Sequence, residues 1–289
     1  MSAPATLAPP APRARRASRW WLDVLAIAWL LWLYDAISNL APLRLHQALA
    51  NGAGVLHVER VLHLDPELTL DRWLASHHTL GLVLADYYDN AHFVVTLGLL
   101  GWLWWRRAEV YRPLRNSLLL TNVIAFVVFW RYPVAPPRML GGFVDVVSST
   151  HAFGDWHEGP LASHANQLAA MPSLHMAWAA WCALAIWRVS RRAWVRTACL
   201  LHPILTAVTV IATGNHFLLD LFAGLAALAL ATCALALPRR AGPWLGALGR
   251  VFVRARGRLA GARERLWERA SGPAYRMSQS CYEVRDQVD

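Results

Sequence analysis

The stretch MPSLHMAWAAWCALAIWRV, residues 171–189, decides the fold. It is apolar over the length a helix needs to cross a bilayer, roughly 20 residues for a hydrocarbon core of ~30 Å. Yet it opens on Pro172, Ser173 and His175. A second stretch, HFLLDLFAGLAALALATCALAL at 216–237, has the same design, with His216 at its start and Asp220 one helical turn later. An ionisable side chain at membrane depth is costly and marks function by default. Four more apolar runs lie at about 20–40, 80–105, 115–132 and 194–214. The run at 80–105 is the least regular, because Asp86, Asp89, Asn90 and His92 interrupt its first half. Charged residues make up 16% of the chain and hydrophobic ones 56%, against roughly 25% charged in a soluble domain. The expected fold class is all-α, a polytopic membrane protein built as a six-transmembrane-helix bundle with interfacial helices.

Charge orients the chain. The formal net charge is +10, and all 28 basic residues are arginine. Sorted by the six runs, 23 arginines fall on the side of the two termini, and 5 (Arg44, Arg60, Arg72, Arg131, Arg138) on the other. The positive-inside rule then makes both termini cytoplasmic in a multi-pass protein of the cell membrane, with His175 and His216 on the outer face. Arginines sorted so closely by the spans argue against a nucleic-acid partner. Residues 1–19, rich in Ala, Pro and Arg, read as a disordered cytoplasmic tail. Residues 20–238 read as the six-span domain with an outer loop at 133–170, and 239–289 as a basic, partly amphipathic cytoplasmic tail. There Trp244, Leu245, Leu248 and Val251 recur at helical spacing before Arg254, Arg256 and Arg258, a pattern that suits anionic lipid. A solvated basic tail is the plainer alternative. Residues 41–78 are amphipathic and expected to lie at the interface. Arg15-Arg16 also fits a secretory leader cut after Ala48-Leu49-Ala50, a reading disfavoured by the long run and the distant cut.

The chemistry-bearing residues gather on the outer side. At i, i+4 on one helix face, Asp220 can accept a hydrogen bond from one nitrogen of His216 and leave the other free to attack phosphorus. Arg131 and Arg138 flank a proline-stiffened loop, and guanidinium forks suit phosphate oxygens. Asp86, Asp89 and His92 share a face at i, i+3, i+6, where headgroup recognition and structural polar packing are both open. A lone histidine at a helix end can be merely interfacial; two with an aspartate and two arginines make a site. His202 before Pro203 reads as a kink with a satisfied polar partner. His151, His157 and His164 have loop spacings that suit a metal poorly. Cys182, Cys199, Cys233 and Cys281 show no ligand spacing. No metal, disulfide or cofactor is expected.

These strings resemble the type 2 phosphatidic-acid phosphatase superfamily, most closely its inositol-phosphorylceramide-synthase-like branch. Pro172-Ser173-Leu174-His175 matches its Pro-Ser-x-His motif, and His216 with Asp220 its His-x-x-x-Asp ending. Arg131 and Arg138 keep the spacing of a first motif, Lys followed seven residues later by Arg-Pro, but with arginine for lysine and Met139 for proline. Tyr87-Tyr88, His92-Phe93 and Tyr132 to Arg138 look like the synthase-like branch. The resemblance implies His216 as nucleophile, Asp220 as its orienting partner and His175 as general acid, all catalytic. It implies Arg138, Arg131, Ser173, Asp89, His92 and Tyr88 as phosphate- or substrate-binding. Thr209 and Val210 depart from the Ser-Arg usual in the phosphatases, which removes one phosphate-binding arginine and favours transferase chemistry. The leading expectation is a lipid phosphotransferase moving a phosphorylated headgroup, such as phosphoinositol, onto a lipid hydroxyl through a phosphohistidine. Its partners would be a phospholipid or phosphorylated lipid and the bilayer, with no oligomeric state assigned. Hydrolysis of a lipid phosphate or polyprenyl diphosphate is the enzymatic alternative. A non-catalytic transporter or scaffold is the alternative of another class, but the two related halves of a transporter are not apparent.

Overall fold

Every apolar run from residue 80 onward is helical in the structure, a computed structural model that describes residues 44–150 and 168–236 with seven helical positions between residues 21 and 36. The tail at 1–19, most of the first run, His151, His157 and His164, and the tail at 239–289 lie outside the described residues. Two units divide the chain at residue 232, and the described part of the second is only the end of the last helix.

The described helices are α1 (Leu45–Val61), α2 (Glu67–Ala75), α3 (His78–Arg106), α4 (Ala108–Arg131), α5 (Val146–Thr150), α6 (Leu174–Val189), α7 (Ala193–Ala198), α8 (Leu201–Ala212) and α9 (Leu218–Ala236). Among the described residues the only β-pairing is a parallel bridge between Val134 and Ala169. Three helices are long and apolar enough to cross a membrane: α4, the stretch Ala193–Ala212 that joins α7 to α8, and α9. The 16 residues of α6 reach about 24 Å at 1.5 Å per residue, short of the bilayer core. Pro172 opens the apolar stretch but not the helix. It lies outside, because the Ser173 side chain caps α6 by accepting from Met176 N. His202 and Pro203 occupy the first turn of α8, where proline is tolerated without a kink.

The core joins α3, α4, α6 and α9 around Trp181, which is fully buried with Leu103, Leu114, Leu118 and Leu228. Its indole N–H donates to Leu114 O at 2.9 Å. Val94 and Leu97 on α3, Ile204 and Val208 on α8, and Phe222 and Leu230 on α9 are exposed, a surface fitted to lipid rather than water. The segment 41–78 does more than lie at an interface. Its helices α1 and α2 bury Glu59, Glu67 and Asp71 completely, and α2 packs on α8. Buried carboxylates need donors, and these find them at the start of α9 and in the loop beside it.

Candidate active site

The loop that carries His216 is made by the way α8 ends. Gly214 takes φ +66, Gly214 N donates to Ile211 O at 3.1 Å, and Asn215 N donates to Val210 O at 3.1 Å. This is a Schellman stop, with glycine at the left-handed position. His216 N donates to the same Val210 carbonyl at 3.0 Å, so the turn delivers His216 just ahead of α9. Space is also tight there: a Cβ on Gly214 would sit 2.9 Å from Asp71 Oδ1. Asp71 is held by Val144 N at 2.8 Å, and burial pushes its carboxyl up to about 6.

The expected trio converges. His216 Nε2 lies 3.3 Å from His175 Nδ1. The other nitrogen, His216 Nδ1, is 2.9 Å from Ala170 O and 3.4 Å from Asp220 Oδ2. The carbonyl is thus the shorter partner. Because His216 precedes α9 rather than starting it, Asp220 turns the same oxygen to Phe217 N at 2.9 Å, the reach-back half of a capping box. A proton on Nδ1 is the tautomer that donates to both oxygens and leaves Nε2 its lone pair. Ser173 N donates to Asp220 O at 2.9 Å, tying the starts of α6 and α9 together. Gly224 permits this, since a Cβ there would collide with Ser173 O.

The first half of α3 supplies a ring wall. Tyr88 stacks on His175 at 4.5 Å between centroids, and His92 meets the same ring edge-on at 4.3 Å. His92 Nδ1 lies 3.0 Å from Tyr88 O, while Phe93 and Trp178 pack around His92. Asp89 is buried on the same helix. Tyr87 turns away to His202 Nδ1 at 2.7 Å, the polar partner expected for that histidine. The Ser173 hydroxyl is committed to capping α6. Arg138 is nearly buried; its Nη1 donates to Asn215 Oδ1, and its Nε forms an ion pair with Asp145 Oδ2 at 3.2 Å. Three of its five N–H groups remain for a phosphate. Arg131 is exposed at the end of α4 instead of joining the group. Val210, where the phosphatases carry arginine, is buried among Ala85, Tyr88, Val147, Ile211 and Leu221.

Sequence reading missed two partners of the helix that follows His216. Leu218 N donates to Glu67 Oε1 at 2.8 Å and Leu219 N to Glu59 Oε1 at 2.7 Å. With Asp220 on Phe217 N, three successive N–H groups at the start of α9 each meet a carboxylate. The positive end of a helix favours that arrangement. On an amphipathic segment, Glu59 and Glu67 look like solvent-facing residues; their partners lie 160 and 151 positions away. Among the described residues no three His, Cys, Asp or Glu side chains are grouped to hold a metal ion.

A family model described as the PAP2 superfamily matches residues 53–234. No curated protein and no solved structure matches the chain. The matched span runs from the middle of α1 to the last turn of α9 and takes in every residue of the histidine site just described. The chain belongs to the PAP2 superfamily, whose members are typically metal-independent phosphatases with a histidine nucleophile.

Proposed function

We propose that this protein is a six-span enzyme of the cell membrane that transfers a phosphorylated headgroup, such as phosphoinositol, onto a lipid hydroxyl at the extracytoplasmic surface. The observation that carries the chemistry is the facing pair His216 Nε2 and His175 Nδ1, with His216 Nδ1 held by Ala170 O and Asp220. His216 Nε2 attacks phosphorus as the bond to the leaving oxygen breaks, and His175 gives that oxygen its proton. The acceptor hydroxyl then returns a proton to His175 while its oxygen attacks the phosphohistidine and releases His216. At 3.3 Å the two nitrogens are too close to hold a phosphoryl group between them, so the rings part as substrate enters. Arg138 neutralises phosphate charge, and Tyr88 and His92 line the side from which a headgroup approaches.

Transfer is favoured over hydrolysis by Val210. Its place in an apolar cluster leaves the site without a guanidinium that would hold free phosphate. The test is purified protein assayed on a panel of lipid phosphates and phosphoinositol lipids, with and without candidate lipid alcohols. Product that appears only with the alcohol supports transfer. Equal release of phosphate or headgroup into water in both conditions makes the protein a phosphatase.

A further inference from the structure

We infer that Glu59 and Glu67 are positioning residues for His216, acting as a carboxylic acid–carboxylate pair that shares one proton and clamps the first turn of α9. This rests on the role proposed for His216 and extends it to two side chains of the outer segment.

Both carboxyl groups are completely buried, and each spends one oxygen on the N–H of Leu218 or Leu219. The other oxygens, Glu59 Oε2 and Glu67 Oε2, meet no N–H or O–H donor. Leu218 N and Leu219 N are consecutive, so the two carboxyls that hold them sit side by side, where a bond can form between them. Two ionised carboxylates cannot make that bond, whereas an acid and a carboxylate can, and one proton then satisfies both remaining oxygens. The groups facing the pair add to the case. Asp220 approaches Glu59 from α9, and Asp65 approaches Glu67 from the α1–α2 link; both are acidic. Arg60 is turned outward to Asp65 at 3.8 Å. A helix terminus carries only about half a positive charge, too little to hold three ionised carboxylates in one turn. Burial, with the charges of Glu67 and then Asp220, raises Glu59 to about 8, and burial raises Glu67 too.

The consequence is a site built for one negative charge on the pair. A second ionisation sets two buried charges against each other, pushes α1 and α2 off the start of α9, and displaces His216, two residues before the clamped N–H groups.

The experiment uses full-length protein in lipid nanodiscs. A group whose folded pKa is raised gives stability that is full below its unfolded value and is lost as pH climbs through the folded one. The melting temperature of the wild type therefore falls as pH rises through about 8. In Glu59→Gln and Glu67→Gln an amide N–H replaces the shared proton, and that fall disappears. An alkaline fall of equal size in both Gln variants overturns the shared proton, whatever the substrate. The second readout is kcat and KM against pH on a lipid phosphate that the wild type turns over. Glu67→Ala lowers kcat by about 10²-fold with KM little changed, as a small misplacement of a reacting group can. Glu67→Gln recovers most of that loss and lacks the alkaline fall in kcat. Wild-type kcat in Glu67→Ala, or an unchanged alkaline limb in Glu67→Gln, overturns the positioning role. Full activity in His216→Ala instead strikes the role of His216 and leaves the melting result standing.

Discussion

His216 has both ring nitrogens engaged, Nδ1 by Ala170 O and Asp220 and Nε2 by His175, and each engagement sets an expected loss. Removing the ring in His216→Ala abolishes turnover, and His175→Ala lowers it by about 10²–10⁴-fold, the range for general acid–base catalysis. Asp220→Asn falls well short of that, since Ala170 O still orients the ring at 2.9 Å. Steady-state assays of the three purified variants check this ranking, and an Asp220→Asn loss as deep as His216→Ala would contradict it. Chelation should leave activity intact if arginine neutralises the phosphate; loss in EDTA with rescue by a divalent ion would bring His151, His157 and His164 into the site. The convergence of His175, His216 and Asp220 was readable because each sits at or beside a helix start in a short motif. Ala170 O was not, since a backbone carbonyl 46 positions away leaves no residue-type signal. Arg138 was singled out by its spacing from Arg131, but its hold on Asn215 and Asp145 depends on a fold that spacing does not encode.

The decisive element is the turn between α8 and α9. Gly214→Ala forces a side chain into left-handed backbone and against Asp71 Oδ1 at 2.9 Å, strain worth about 1–3 kcal/mol. Melting temperature and kcat should fall together. Gly98→Ala in α3 is the control: a Cβ there meets nothing within 4 Å, and alanine is the better helix former by about 1 kcal/mol, so stability should hold or rise. A Gly214→Ala protein with wild-type melting and turnover would show that the turn does not set His216. Apolar runs located α3, α6, the α7–α8 stretch and α9 within a few residues; the run at 115–132 began well inside α4, and α5 lies in a segment expected to be loop. They start α6 early, because whether Pro172 enters the helix or Ser173 caps it turns on one hydroxyl. Periodicity also read α1 and α2 as interfacial, since a glutamate capping a distant helix and a glutamate facing water have the same local sequence.

For the whole molecule, the arginine split is the readable part, and three helices of the described chain have the length and apolarity to cross a membrane. The remaining spans of the proposed six include a 29-residue helix, α3, whose polar first half serves the site at the expense of hydropathy, and the short α6. Sidedness follows from the proposed topology: in a cysteine-free background, an impermeant thiol reagent on intact cells should label a cysteine at the exposed Ser149 on α5 and spare one at Ala262. The reverse would put the histidines in the cytosol with a different pool of lipids. The most direct measurement of the central claim is capture of the covalent intermediate. Wild-type protein is mixed with phosphorus-labelled lipid phosphates and phosphoinositol lipids, quenched in alkali where phosphohistidine survives, and digested for peptide mapping. The account predicts label on His216 within the first turnover, chased off by a lipid alcohol and absent from His216→Ala. Turnover without label on any histidine, or label that persists in His216→Ala, would contradict it.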